Sequence, residues 1–156
     1  MDEFDARLLN LMQENNRLTA EKLSALVGLS PAACQKRLKR LRENGTIAHD
    51  ISVLSPEATG RKLTLIVEVT MERERPEVLD QFKRTMRAAP DVMQCYYVTG
   101  NADFIVILTA RDMKEYEEFT RRYFFQNSNV QRFQTNVVMD DVKVGLKIPV
   151  AASGAA

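Results

Sequence analysis

The sequence predicts an α+β protein in two parts. Residues 4–45 hold three short amphipathic helical patterns separated by tight breaks. Residues 55–62, "SPEATGRK", mix Ser, Pro and Gly with charge, as a joint between domains does. Beyond that joint the apolar period changes, and strands and helices follow in the order β-α-β-β-α-β. The expected architecture is an N-terminal (winged) helix-turn-helix domain followed by a C-terminal βαββαβ ferredoxin-like domain. The expected boundaries are 1–50 for the helical domain, 51–62 for a linker or hinge strand, 63–147 for the ferredoxin-like domain and 148–156 for a disordered tail.

The first helix is written in "FDARLLNLMQEN", where Phe4, Leu8, Leu11 and Met12 recur at helical spacing with Leu9 alongside. Asp2 or Asp5 falls in its first turn, where a negative charge suits the helix dipole. In the second helix, "LTAEKLSALVGL", Thr19 is the cap, Leu23, Leu26 and Val27 form the apolar stripe, and Gly28 is placed to end it in a left-handed conformation. The third starts at once, with Ser30 as N-cap and Pro31 at the first helical position. Only "GLS" separates the second and third helices, which is the helix-turn-helix layout. Cys34, Leu38 and Leu41 face inward; Gly45 closes the helix. "TIAHDISVL" is β-rich and suits a strand or small wing.

In the second part, "LTLIVEVTM" is a strand enriched in Val, Ile and Thr. "PEVLDQFKRTMRAA" is a helix with Val78, Leu79, Phe82 and Met86 on one side. "DVMQCYYVT" and "DFIVILTA" are strands joined through "GNA". "DMKEYEEFTRRYFF" is a helix carrying Met113, Tyr116, Phe119, Tyr123 and Phe124, and "VQRFQTNVVMDDV" is the last strand. Two helices on one face of four strands leave the other face bare, and a bare, partly apolar sheet favours a homodimer. "AASGAA" is too simple in composition to pack, hence the expected disorder of the tail.

Composition narrows the function. The 156 residues are 45% hydrophobic and 28% charged with a net charge of +1, an ordinary water-soluble balance. No apolar run reaches the roughly 20 residues a membrane span needs. The acidic start "MDEFDARLL" lacks a signal peptide's layout, so the expected location is the cytoplasm, with no membrane partner. Cys34 and Cys95 share no ligand spacing, His49 has no partner, and no GxSxG, HExxH, P-loop or GxGxxG occurs. The expectation is a protein that is not an enzyme and uses no metal or cofactor.

From Lys36 to Arg42 five of seven residues are basic, although eight acidic residues balance eight basic ones over 1–60. A helix behind a tight turn can lie in a DNA major groove with its N-terminal residues at base edges. Ser30, Ala32 and Ala33 stand at that end and permit close approach, and Gln35 can pair with adenine. Lys36, Arg37, Lys39, Arg40 and Arg42 can neutralise phosphates. The alternative for the same run is a solvated basic helix face.

The combination of "LTAEKLSALVGLSPAACQKRLKRLRENGTI" with a βαββαβ region holding "VTGNADF" and "TNVVMDDVK" resembles the Lrp/AsnC (leucine-responsive/asparagine regulator, feast–famine) transcription factors over roughly residues 1–147. The resemblance implies a DNA-binding regulator that forms dimers, often assembling to tetramers or octamers. It also implies a small effector, commonly an amino acid, bound between regulatory domains. The effector residues it implies are Gly100, Asn101 and Asp103, then Met113, then Thr135, Asn136, Val137 and Val138. Asn136 stands where an aromatic is expected in leucine-sensing relatives, which points away from leucine.

Chemically, the backbone N–H groups of "TGNAD" could hold a carboxylate, Asp103 an ammonium, and Met113, Val137 and Val138 an apolar side chain. A plain hairpin turn at Gly100-Asn101 accounts for the same residues. Two other functions fit the sequence: an architectural DNA-wrapping factor with no ligand, and a binding or enzymatic ferredoxin-like domain with an unrelated helical appendage.

Overall fold

The computed structural model describes residues 1–72 and 75–152. The chain forms two compact units: Met1–Val53 together with 143–152, and Leu54–Val142.

The first unit is built on α1 (Glu3–Glu14), α2 (Ala20–Val27) and α3 (Pro31–Glu43). Each helix starts on a side-chain cap. Asp2 accepts from the Asp5 N–H at 2.8 Å, Thr19 from Lys22 at 3.3 Å and Ser30 from Ala33 at 3.2 Å. α2 stops at Gly28, whose φ of 82° is open to glycine at little cost. Its core is Leu8, Leu9, Met12, Leu23, Val27, Cys34, Leu38 and Leu41. Leu26 departs from the expected stripe: it is half exposed, and its carbonyl accepts from Arg7.

Two further expectations change here. No strand or wing forms over residues 46–62, and Ile51, Val53 and Leu54 are exposed. A strand needs a neighbour's backbone groups, and among the described residues no segment offers them to "TIAHDISVL". The tail expected to be disordered from residue 148 instead lies along α1. The Gln13 side-chain amide donates to the Ile148 carbonyl at 3.0 Å and accepts from its N–H at 2.8 Å. Asn10 donates to the Val150 carbonyl at 2.9 Å, and Lys147 pairs with Glu14 at 2.6 Å. Val150 rests on the helical core. Side-chain amides here do the work of a neighbouring strand, so the segment needs no regular structure of its own. Residues 153–156 of the expected tail lie outside the described ones.

The second unit runs β1 (Leu63–Met71), α4 (Pro76–Ala88), β2 (Val92–Tyr97), β3 (Phe104–Ala110), α5 (Met113–Thr120), a π-helical turn (Arg121–Phe125) and β4 (Val130–Val137). The strands form one sheet in the order β2-β3-β1-β4, with every neighbouring pair antiparallel. This is the split βαβ arrangement the sequence predicts. Leu65, Val67, Val69 and Met71 alternate to the face covered by α4 and α5, where Phe82, Phe104, Phe119 and Phe124 fill the core. The other face carries Ile66, Ile105, Ile107 and Tyr96 at its centre, all half-buried or exposed, with Glu68, Gln94, Arg132, Gln134 and Asn136 around them. Tyr96 and Tyr97 point to opposite faces, as expected; the Tyr97 ring lies 5.2 Å from that of Phe104.

Candidate DNA-reading helix and effector residues

The short turn and the Ser30 cap position α3 so that Cys34, Leu38 and Leu41 are buried while Ala32, Gln35, Lys36 and Lys39 stand exposed on its outer side. Ala33 and Arg37 are half-buried at the border, and Arg40 is exposed. The expected residues therefore share one helix, but they do not all present free charge. Arg37 donates to Asp2 at 2.6 Å and to Asp5 at 2.8 Å, with its guanidinium 5.6 Å from the centre of the Phe4 ring. Arg40 donates to the other oxygen of Asp5 at 2.6 Å. Arg42 pairs with Asp50 at 2.9 Å, and Lys39 lies 3.7 Å from Glu43. Among the described residues Lys36 alone of the five has no carboxylate within 4.0 Å.

These ion pairs shift the groups in the expected directions. The Asp5 N–H and the Arg37 guanidinium hold the Asp2 carboxyl below the usual carboxylate range. Asp2 and Asp5 in turn hold the Arg37 guanidinium above its ordinary value. Asp2, Asp5 and Asp50 are the residues that reading the sequence missed as part of this face. The one signal available was the equal count of acidic and basic residues over 1–60, which says that counterions exist without saying where they sit.

The effector residues fall in two places. The turn with Gly100, Asn101 and Asp103 sits at the C-terminal end of β1. The Asp103 N–H donates to the Val69 carbonyl at 2.9 Å, and the Met71 N–H donates to the Asp103 carboxylate at 2.6 Å. One Asp103 oxygen therefore serves the strand end, where the register of β1 on β4 shifts. Met113 and residues 135–138 lie toward the opposite end of β1. Leu63 pairs with Ala110, just before α5, Leu65 pairs with Val137, and the Val138 N–H donates to Thr64. Val69 and Leu65 are four residues apart, which is about 13 Å along a strand.

The last strand divides its residues as well. Thr135 and Val137 point to the helix side and Asn136 to the open face opposite Ile66. The Thr135 hydroxyl is hydrogen-bonded to the Tyr116 hydroxyl, and burial raises the Tyr116 phenol above its ordinary value. Met113, expected on the core side of its helix, is half exposed. A single regulatory unit therefore does not gather the implied effector residues into one pocket. A depression of about 290 Å³ on this unit is lined by Gln81, Thr85, Arg122 and Gln126 among others, and contains none of them.

Among the described residues no group of three His, Cys, Asp or Glu side chains could hold a metal ion. Among the same residues no helix is long and apolar enough to cross a membrane. Both cysteines are free, and burial pushes the Cys95 thiol up, away from nucleophilic reactivity.

Comparison with known proteins bears on both units. Residues 1–42 match the model of the AsnC-type helix-turn-helix domain, and residues 64–148 that of the Lrp/AsnC ligand binding domain. An HTH-type transcriptional regulator of Sinorhizobium fredii is 55% identical over 150 residues, 96% of this chain and 89% of that protein. The leucine-responsive regulatory protein of Haemophilus influenzae is 34% identical over 143 residues, 92% of this chain and 86% of that one. A transcriptional regulator of Neisseria meningitidis, solved as a complex with L-methionine, superposes with a TM-score of 0.90 at 30% identity and covers 96% of both chains. Two family models that meet in one chain, in the order and over the units the structure displays, lead to a single assignment: the chain belongs to the Lrp/AsnC family of helix-turn-helix transcriptional regulators.

Proposed function

We propose that this regulator reads duplex DNA with the outer face of α3, and that its DNA binding responds to an amino acid held between regulatory domains of neighbouring protomers. The exposed row Ala32, Gln35, Lys36 and Lys39 behind a tight turn carries the first half of the reading. Gln35 faces a base edge, Lys36 and Lys39 face phosphates, and Ser30 and Ala33 sit at the close-approach end. The second half rests on the separation of Gly100, Asn101 and Asp103 from Met113 and Thr135–Val138 within one protomer. Residues at opposite ends of a strand close on one ligand only when supplied by two domains. The Neisseria relative, crystallised with L-methionine, supports an amino acid as the ligand class. The dimer uses the open sheet face around Ile66, Ile105 and Ile107 and assembles further to tetramers or octamers. The protein acts in the cytoplasm, without enzymatic activity or a metal. A ligand at such an interface alters DNA binding to the extent that its affinity differs between assembly states.

The test is fluorescence-anisotropy titration of the DNA upstream of the protein's own gene over a salt series, with and without a mixture of the twenty amino acids. Specific, salt-sensitive binding that the mixture alters is the expected result. Lys36→Ala flattens the salt slope by about one unit on any sequence. An unchanged slope removes Lys36 from the phosphate contacts, and a response identical with and without the mixture removes the amino acid.

A further inference from the structure

The ion pairs on α3 are of two kinds. Asp5 is buried, with a side chain only 4% exposed, and binds Arg37 and Arg40 through its two oxygens. Unpaired, it would be a buried charge, so it holds both arginines in place. Asp2 is different: its side chain is 50% exposed. One of its oxygens caps α1 through the Asp5 N–H, and the other sits on Arg37 at 2.6 Å. The Asp5 N–H and the Arg37 guanidinium both favour its ionised form. Arginine binds carboxylate and phosphate by the same planar fork of donors. A solvent-accessible carboxylate on Arg37 therefore occupies the kind of position a DNA phosphate would take.

We propose that Asp2 is a specificity-determining residue: an internal competitor for Arg37 that weakens sequence-blind phosphate binding and leaves base reading by the N-terminal half of α3 untouched. Phosphate contacts supply nearly all of non-specific affinity, whereas base contacts supply discrimination. Reducing the first alone raises the ratio of specific to non-specific binding, the quantity that matters against a genome of competing sites. Asp5 is the positioning residue of the same device, keeping Arg37 within reach of both partners. The inference rests on the reading of α3 as the DNA-binding helix.

The experiment uses the full chain and a fluorescent duplex of random sequence, so neither an operator nor an effector is required. Wild type, Asp2→Asn and Asp2→Ser are titrated between 50 and 200 mM salt. Both substitutions retain a capping oxygen for the Asp5 N–H and remove the charge. At 50 mM salt the variants should bind random duplex about three- to tenfold more tightly, with a slope steeper by about 0.9 in log–log units. In an Arg37→Ala background the same substitutions should have no effect on either quantity. Wild type and variants with equal affinity and slope overturn the role of Asp2 while leaving DNA binding intact. A gain that persists without Arg37 overturns it too, since the competitor would then act through another group. No binding of any duplex by wild type or variants at 50 mM salt overturns both this inference and the reading it rests on.

Discussion

Among the described residues the core cluster of the helical unit holds eight buried side chains, none of them aromatic, whereas that of the regulatory unit holds fifteen, five of them aromatic rings. The small core leaves its helices in need of other fasteners, and they are electrostatic and polar. Asp2 and Asp5 on α1 hold Arg37 and Arg40 on α3, and Asn10, Gln13 and Glu14 hold residues 147–150. In the regulatory unit the fastener is close packing: Phe82 lies 4.6 Å from Phe104 and 6.5 Å from Phe124, ring centre to ring centre. The helical unit thus adds charged and polar pairs, several of them partly exposed, to a small core, whereas the regulatory unit rests mainly on buried packing, with Arg61 bridging Asp91, Thr109 and Glu115 at its edge.

Each substitution below tests that contrast. Phe82→Ala should have the largest effect, a loss of about 3–5 kcal/mol in urea denaturation, because a fully buried ring leaves a cavity that the sheet cannot close. A loss under about 1 kcal/mol would mean that packing does not dominate the regulatory unit. Asp5→Asn should cost about 1–3 kcal/mol, since two charge-assisted hydrogen bonds are weakened around a buried group. Because Arg40 is half exposed, part of that loss should be salt-dependent, where that of Phe82→Ala is not. Equal salt dependence of the two would erase the distinction.

The smallest effect concerns acid. The Arg111 N–H, assisted by the Arg111 and Arg61 guanidiniums, holds the Glu115 carboxyl below its ordinary 4.5. The Arg42 side chain does the same for Asp50, below its ordinary 3.8. A carboxyl with a depressed folded pKa contributes stability that is complete above the unfolded value and is lost as pH falls through the folded one. Each should therefore withdraw under about 1 kcal/mol below pH 4, after allowing for screening. Glu115→Gln and Asp50→Asn should flatten the acid limb of a stability-versus-pH curve; a limb unchanged by both would assign acid sensitivity elsewhere.

Local signals made most of the fold legible. Caps at Thr19 and Ser30, the left-handed Gly28, and the spacing of Cys34, Leu38 and Leu41 act within a turn or two of chain, so the sequence alone determined the helix-turn-helix. Period-two alternation in "LTLIVEVTM" and "DFIVILTA" likewise determined which face of the sheet is buried. Helical spacing likewise placed Gln35 and Lys36 on the outer side of α3.

Tertiary structure decided the rest, and the reason is distance along the chain. That Arg37 meets Asp2 and Asp5 depends on how α1 crosses α3, more than thirty residues away, and no pattern of spacing encodes it. That Ile148 and Val150 are held rests on Gln13 and Asn10, 135 and 140 residues earlier. That Asp103 and Val137 stand at opposite ends of β1 follows from strand register, set by the whole core at once. The sequence thus determined the elements and their faces, because those are short-range properties of the backbone. Which charges are neutralised, and which residues can share a ligand, emerged only when distant segments were brought together.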